Sequence, residues 1–159
     1  MTRPAASDLT VLCRWTDGAD QEFGLPAYET DGAAGADLRA NFADRGAVTL
    51  EPGARALVPT GLVLAIPEGY EAQIRPRSGL ALRHGITLLN SPGTIDSDYR
   101  GPLGLIMVNH GQDSFEVRHG MRVAQMIVAS VVQTRFVLAD ALPDTARGSG
   151  GFGSTGQGA

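Results

Sequence analysis

No lysine occurs anywhere in the 159-residue chain, and all 13 basic residues are arginine. That absence removes whole classes of chemistry, because a Walker-type phosphate loop needs its lysine and so does a Schiff-base enzyme. Any phosphate recognition therefore falls to arginine forks and backbone N–H groups. Cysteine is almost missing too: Cys13 stands alone, so no intrachain disulfide can form. No apolar run approaches the roughly 20 residues that cross a bilayer. The opening stretch, MTRPAASDLTVLCRW, lacks the long apolar segment of a secretory signal. These features predict a cytoplasmic protein with no membrane partner. There is no basic excess either. A net charge of −4 argues against a nucleic-acid partner, which needs a positive surface.

Glycine and turn signals are plentiful. With 21 glycines and 9 prolines, the chain breaks into short apolar runs, and turns recur at EPG (51–53), PTG (59–61), PEG (67–69), SPG (91–93) and HGQD (110–113). Strands are predicted at Thr10–Arg14, Ala47–Leu50, Arg55–Pro59, Leu62–Ile66, Tyr70–Arg75, Ile86–Leu89, Leu103–Asn109, Ser114–Val117, Val123–Ser130 and Thr134–Leu138. Some alternate apolar and polar residues with period two, as in Val48/Leu50 and Phe115/Val117. Leu62–Ile66 and Met126–Val132 are apolar throughout, the pattern of strands buried on both faces. Regular short strands between frequent turns predict an all-β sandwich or barrel. One short helix is expected near Ser78–His84, with Ser78 as its N-cap. The length suits one domain spanning residues 1–159, with residues 1–8 expected to be disordered.

Five polar segments interrupt this pattern: AGADLRA (34–40), RPRSGLA (75–81), NSPGTIDSDYRG (90–101), GMRVAQM (120–126) and RGSGGFGSTG (147–156). Singly, each also suits a turn, a helix entry or a solvated face. Together they fit a metal-chelated nucleoside triphosphate. Arg77, Arg100, Arg122 and Arg147 offer planar forks for phosphate oxygens, and Gly79 and the tail glycines allow close backbone approach to an anion. Asp37 and Asp96 are candidate carboxylates for a hard metal ion or an activated water. Tyr99 and Phe152 offer flat faces to a sugar and a base. His84, His110 and His119 lack metal-ligand spacing. A Ser78/His84/Asp96 triad can be drawn, but without a nucleophile elbow. The glycine-rich tail has little tendency to order alone, which makes residues 147–159 a candidate flexible closing segment.

The five segments, in this order from about Leu25 to Gly156, resemble the five motifs of the trimeric dUTPase family, closest to its bacterial members. The resemblance implies a jelly-roll-like β fold, a homotrimer whose active sites are shared between subunits, and hydrolysis of dUTP to dUMP and pyrophosphate with Mg²⁺. Asp98 is a second carboxylate near enough to serve as the base, but the resemblance implies Asp96 as the residue that orients and deprotonates the attacking water, with Asp98 a solvated turn residue. It implies Tyr99 against the deoxyribose, Asn90 and its hairpin around the uracil, and Thr94 among the substrate contacts. Arg77, Ser78, Gly79 and Gln125 correspond to phosphate contacts, and Asp37 to a carboxylate that reaches the metal through water. Arg147, Phe152, Gly153, Ser154 and Thr155 correspond to the closing tail. Arg100 and Arg122 suit either substrate contact or support of the hairpin and subunit contact. Two alternatives remain. One is a dCTP deaminase-type enzyme of the same fold, which normally carries a glutamate after the central hairpin, where this chain has Pro102–Leu105. The other is a non-catalytic β-trimer that binds without turnover.

Overall fold

The computed structural model describes residues 9–151. Ten strands and one helix follow in the order β1 (Leu12–Trp15), β2 (Ala36–Arg39), β3 (Ala47–Leu50), β4 (Arg55–Ala65), β5 (Tyr70–Pro76), α1 (Ser78–His84), β6 (Ile86–Leu88), β7 (Gly93–Ile95), β8 (Pro102–Asn109), β9 (Phe115–Arg118) and β10 (Arg122–Ser130). All pairings are antiparallel: one sheet runs β1-β4-β8-β6, a second β2-β10-β5-β7, and β3 pairs with β9. This is the expected all-β, jelly-roll-like architecture with a single short helix.

Period-two patterning and apolar runs build the core. Leu38, Leu50, Val58, Ile86, Leu105, Met107, Val117 and Val123 are all but inaccessible to solvent and belong to one contiguous cluster. Burying each such side chain contributes about 1.5–3 kcal/mol. Asn109, fully buried among them, donates through Nδ2 to the carbonyls of Leu50 and Asp113 and accepts the Gly111 N–H. Its polar atoms are thus satisfied, as burial requires.

Several sequence expectations need correction. Arg55–Pro59 and Leu62–Ile66 are one strand, β4, not two. The PTG signal marks a register shift between Pro59 and Val63, where Gly61 adopts a left-handed φ of 73° that an L-residue would resist. AGADLRA, taken as a polar interruption, contains β2, in which Ala36 and Leu38 face the core while Asp37 faces the other way. GTI forms the short strand β7. Met126–Val132 is not buried on both faces: Met126 is buried, 127–129 are half-buried, and Val132 is exposed. Thr134–Leu138 forms no strand. Its Phe136 and Leu138 are 94% and 99% exposed, because no sheet edge of the same chain receives them.

The helix falls where expected, but Arg77 rather than Ser78 is its N-cap. Arg77 has extended backbone (φ −94°, ψ 127°), makes no side-chain cap, and its carbonyl accepts the Leu80 and Ala81 N–H groups. Ser78 is therefore already helical. Gly85 closes the helix in the left-handed region, φ 67°.

Candidate active site

The sheet that contains β2 and β10 places Asp37 directly opposite Gln125. The Asp37 N–H also donates to the Ala27 carbonyl at 3.0 Å, which ties the preceding loop, and with it Glu29, to the same strand. The Asp37 side chain, only 12% exposed, faces two guanidinium groups. Arg77 Nε lies 3.3 Å from its Oδ1, and Arg122 Nη1 lies 3.2 Å from its Oδ2. Arg77 Nη1 donates to the Arg122 carbonyl at 3.2 Å, and Arg122 Nη1 reaches Glu29 Oε2 at 2.8 Å. Gln125 donates through Nε2 to the Pro76 carbonyl at 3.0 Å, which turns its amide toward the start of α1. A Cβ on Gly35 would lie 2.6 Å from Gln125 Oε1, so a larger residue there would displace the Gln125 amide. A cleft of about 290 Å³ opens over this network, lined by Asp37, Arg77, Ser78, Gly79 and Gln125 among others. Three of the five sequence segments thus converge within one chain.

The central hairpin lies elsewhere. Thr94, Asp96 and Asp98 line a second, larger cleft of about 850 Å³ together with Tyr70, Glu71 and Arg100. None of these residues lines the first cleft, so the Ser78/His84/Asp96 triad is not assembled. Arg100 braces the hairpin itself, donating through Nη1 to the carbonyls of Ser97 (2.6 Å) and Tyr99 (2.8 Å). The half-exposed Tyr99 donates its hydroxyl to the Pro102 carbonyl at 3.1 Å, which fixes the ring at the hairpin's end. Asn90 is exposed at the start of the same hairpin, and a Cβ on Gly93 would lie 3.2 Å from its Nδ2.

Arg147 reaches neither cleft. Its Nε donates to the Gly150 carbonyl at 2.8 Å within a turn of its own segment. Phe152, Gly153, Ser154 and Thr155 lie outside the described residues. Among the described residues no three His, Cys, Asp or Glu side chains gather as a metal site.

Two cleft residues went unnoticed in the sequence. Glu29 is the second partner of Arg122, and nothing in its local sequence marks it. Arg83 lines the first cleft, and its position could have been found: it stands four residues after Gly79 on α1, so the two share one helical face.

A family model described as dUTPase matches residues 21–156. The deoxyuridine 5'-triphosphate nucleotidohydrolase of Roseobacter denitrificans is 73% identical over 148 residues, spanning 93% of this chain and 97% of that protein. The Rhizobium etli protein of the same name is 55% identical over 155 residues, spanning 98% and 96%. Among solved structures, the Staphylococcus bacteriophage 80alpha dUTPase with dUPNHPP superposes with a TM-score of 0.78 at 22% identity, over 92% of this chain and 98% of that one. A phage phi11 dUTPase with a structural Mg(II) ion superposes with a TM-score of 0.71 at 21% identity, over 83% and 97%. At these identities the two structures speak to the fold alone. The family match over most of the length, together with the close sequence relatives, makes the chain a member of the dUTPase family.

Proposed function

We propose that the chain hydrolyses dUTP to dUMP and pyrophosphate, as a single-domain cytoplasmic enzyme that works as a homotrimer. The division of the site carries this reading: phosphate-binding chemistry gathers in one cleft, and the hairpin with Asp96 lines another. A site built from both clefts is completed when the hairpin of one copy meets the arginine cleft of the next. The exposed apolar surface supports association. Leu57 and Ile106 are cross-strand partners on β4 and β8 and both are exposed, and Phe136, Leu138 and Leu142 are bare along the segment after β10. Apolar surface of this kind marks interaction faces.

In the reaction, Arg77, Ser78, Gly79 and Gln125 hold the polyphosphate, and Asn90, Thr94 and the hairpin backbone hold the uracil. The Tyr99 ring, pinned through its hydroxyl, leaves no room for a ribose 2′-hydroxyl. Asp96 takes a proton from water as the water oxygen bonds to the α-phosphorus in line with the bridging oxygen. The bond from that phosphorus to the bridging oxygen breaks, and pyrophosphate leaves. The tail residues Arg147, Phe152, Gly153, Ser154 and Thr155 close over the bound nucleotide and exclude water.

The residues also fit a particular way of using Mg²⁺. Among the described residues the first cleft offers only Asp37 and Glu29 as carboxylates, each already facing an arginine. That donor set cannot cage an ion, but it suits one that arrives on phosphate oxygens with its waters, Asp37 bonding to those waters. The chemistry such an ion supplies is neutralisation and alignment of the phosphate oxygens.

The test is pyrophosphate release from dUTP, dCTP, dTTP and UTP with Mg²⁺, scored alongside ammonia release. Turnover is expected with dUTP alone, and Asp96→Asn is expected to lower it roughly 10²–10⁴-fold. Ammonia from dCTP, or no turnover of any nucleotide, overturns the reading.

A further inference from the structure

The first cleft contains a guanidinium that neither of its lining carboxylates, Asp37 and Glu29, pairs with. Arg77 and Arg122 are both engaged by Asp37, and Arg122 by Glu29 as well, so these two arginines and two carboxylates balance. Arg83 is the third guanidinium. Side chains on a helix lean toward its N-terminus, and Arg83 leans back over Gly79, its Nη2 3.1 Å from where a Cβ on that glycine would sit. It lines the cleft beside Arg77, Ser78 and Gln125, yet it makes no hydrogen bond or ion pair with any other described residue. Folding alone does not require a cation there. A surface arginine free of partners would ordinarily extend into water, where its donors are solvated. Over Gly79 it points its donors at the space where Arg77 and Gln125 also face.

We propose that Arg83 is a phosphate-binding arginine of this cleft, supplying the uncompensated positive charge that draws in the polyphosphate arm of the substrate. The proposal rests on the reading of the chain as a dUTP hydrolase, and it sharpens that reading. Arg77 is held by Asp37 and acts as a fixed fork, whereas Arg83 is free to adapt to a ligand carrying several negative charges. Its contribution therefore grows with phosphate number. It is large for a triphosphate and slight for dUMP, whose single phosphate can be met by Arg77 alone.

Calorimetric titration of the full-length protein with inorganic tripolyphosphate, and separately with dUMP, tests this directly. Arg83→Gln is expected to weaken tripolyphosphate binding about tenfold, the lower end for a charge-assisted hydrogen bond, and to leave dUMP binding nearly unchanged. Arg83→Lys should recover most of the lost affinity, because it restores the charge. In steady-state turnover of dUTP, Arg83→Gln is expected to raise KM far more than it lowers kcat. A merely structural role, such as a basic residue favouring the last turn of α1, would instead lower the melting temperature and affect both ligands alike. Equal tripolyphosphate affinity in wild type and Arg83→Gln overturns the proposal, as does a loss that tracks the melting temperature. If wild-type protein does not turn over dUTP but Arg83→Gln still loses tripolyphosphate, the function fails and the phosphate contact stands.

Discussion

At the scale of single residues, Asp37 is tied through its bridge with Ala27 to a clamp that lines neither of the two clefts. Asn41 accepts the Asp20 N–H and donates to the Asp20 carbonyl, both at 2.9 Å. The Phe42 N–H donates to His119 Nδ1 at 3.0 Å, so the proton of neutral His119 sits on Nε2 and faces Asp20 Oδ2 at 3.2 Å. Phe23 lies against the His119 ring. This clamp anchors the loop that runs on to Ala27 and its bridge with Asp37. The hydrogen bond with His119, then that from the Glu22 N–H, holds the Asp20 carboxyl below its ordinary value of 3.8. A carboxyl depressed by folding stabilises the native state above that ordinary value, and the contribution disappears as pH falls through the folded value. Asp20→Asn should therefore be less stable than wild type in urea at about pH 5, with the gap closing as pH drops below 3.8. A gap that stays constant or widens in acid would show that the ionised carboxylate is not what the clamp uses. None of this was legible in the sequence, where Asp20 and His119 are far apart and neither sits in a recognisable segment. Arg77, Asp37 and Gln125 were legible, because each lies in a distinctive short motif, and the fold joins those motifs through one strand, β10, which pairs with β2 on one side and with β5 on the other. Arg83 falls between: its spacing from Gly79 was visible, but its lack of a partner was not.

At the scale of elements, strands fixed by their own side-chain pattern were readable, and strands fixed by their neighbours were not. Ala47–Leu50 and α1 appear at the expected residues because alternation, turn signals and a following glycine define them locally. β2 was hidden because its outward position is filled by Asp37, a charged residue whose segment reads as a polar interruption. Thr134–Leu138 shows the reverse. Its sequence has strand character, but no edge within the chain pairs with it, and pairing rather than propensity makes a strand. The closing segment follows similar physics. Among the described residues, 147–151 bond only within their own turn, and ordering about ten residues of this kind costs on the order of 10 kcal/mol. If the segment closes over substrate as proposed, contacts with a bound triphosphate must offset that cost. Deleting residues 147–159 is therefore expected to leave the melting temperature within a few degrees of wild type while reducing dUTP turnover at least about 10²-fold. Turnover near the wild-type rate in the truncated protein would remove the closing role of the tail.

At the scale of the whole molecule, the separation of the two clefts makes a stronger demand than any single side chain. If the hairpin and the arginine cleft work as one site, and if one chain does not bring them together, then each working site takes Asp96 from one copy and Arg77 from another. A symmetric trimer supplies three such junctions, because every copy presents both surfaces and the rotation that joins one pair joins all three. Two inactive variants can then repair each other. Asp96→Asn retains a sound arginine cleft, and Arg77→Ala retains a sound hairpin. Refolding the two together in equal amounts, with random assembly, leaves about a quarter of the sites with both intact residues. Turnover should rise from near zero for either variant alone to about a quarter of the wild-type value for the mixture. A site contained within one chain gives no such recovery, since every chain in the mixture carries one of the two lesions. Activity in the mixture no higher than in the separate variants would therefore mean that the two clefts serve different purposes, and the shared-site mechanism would fall with it.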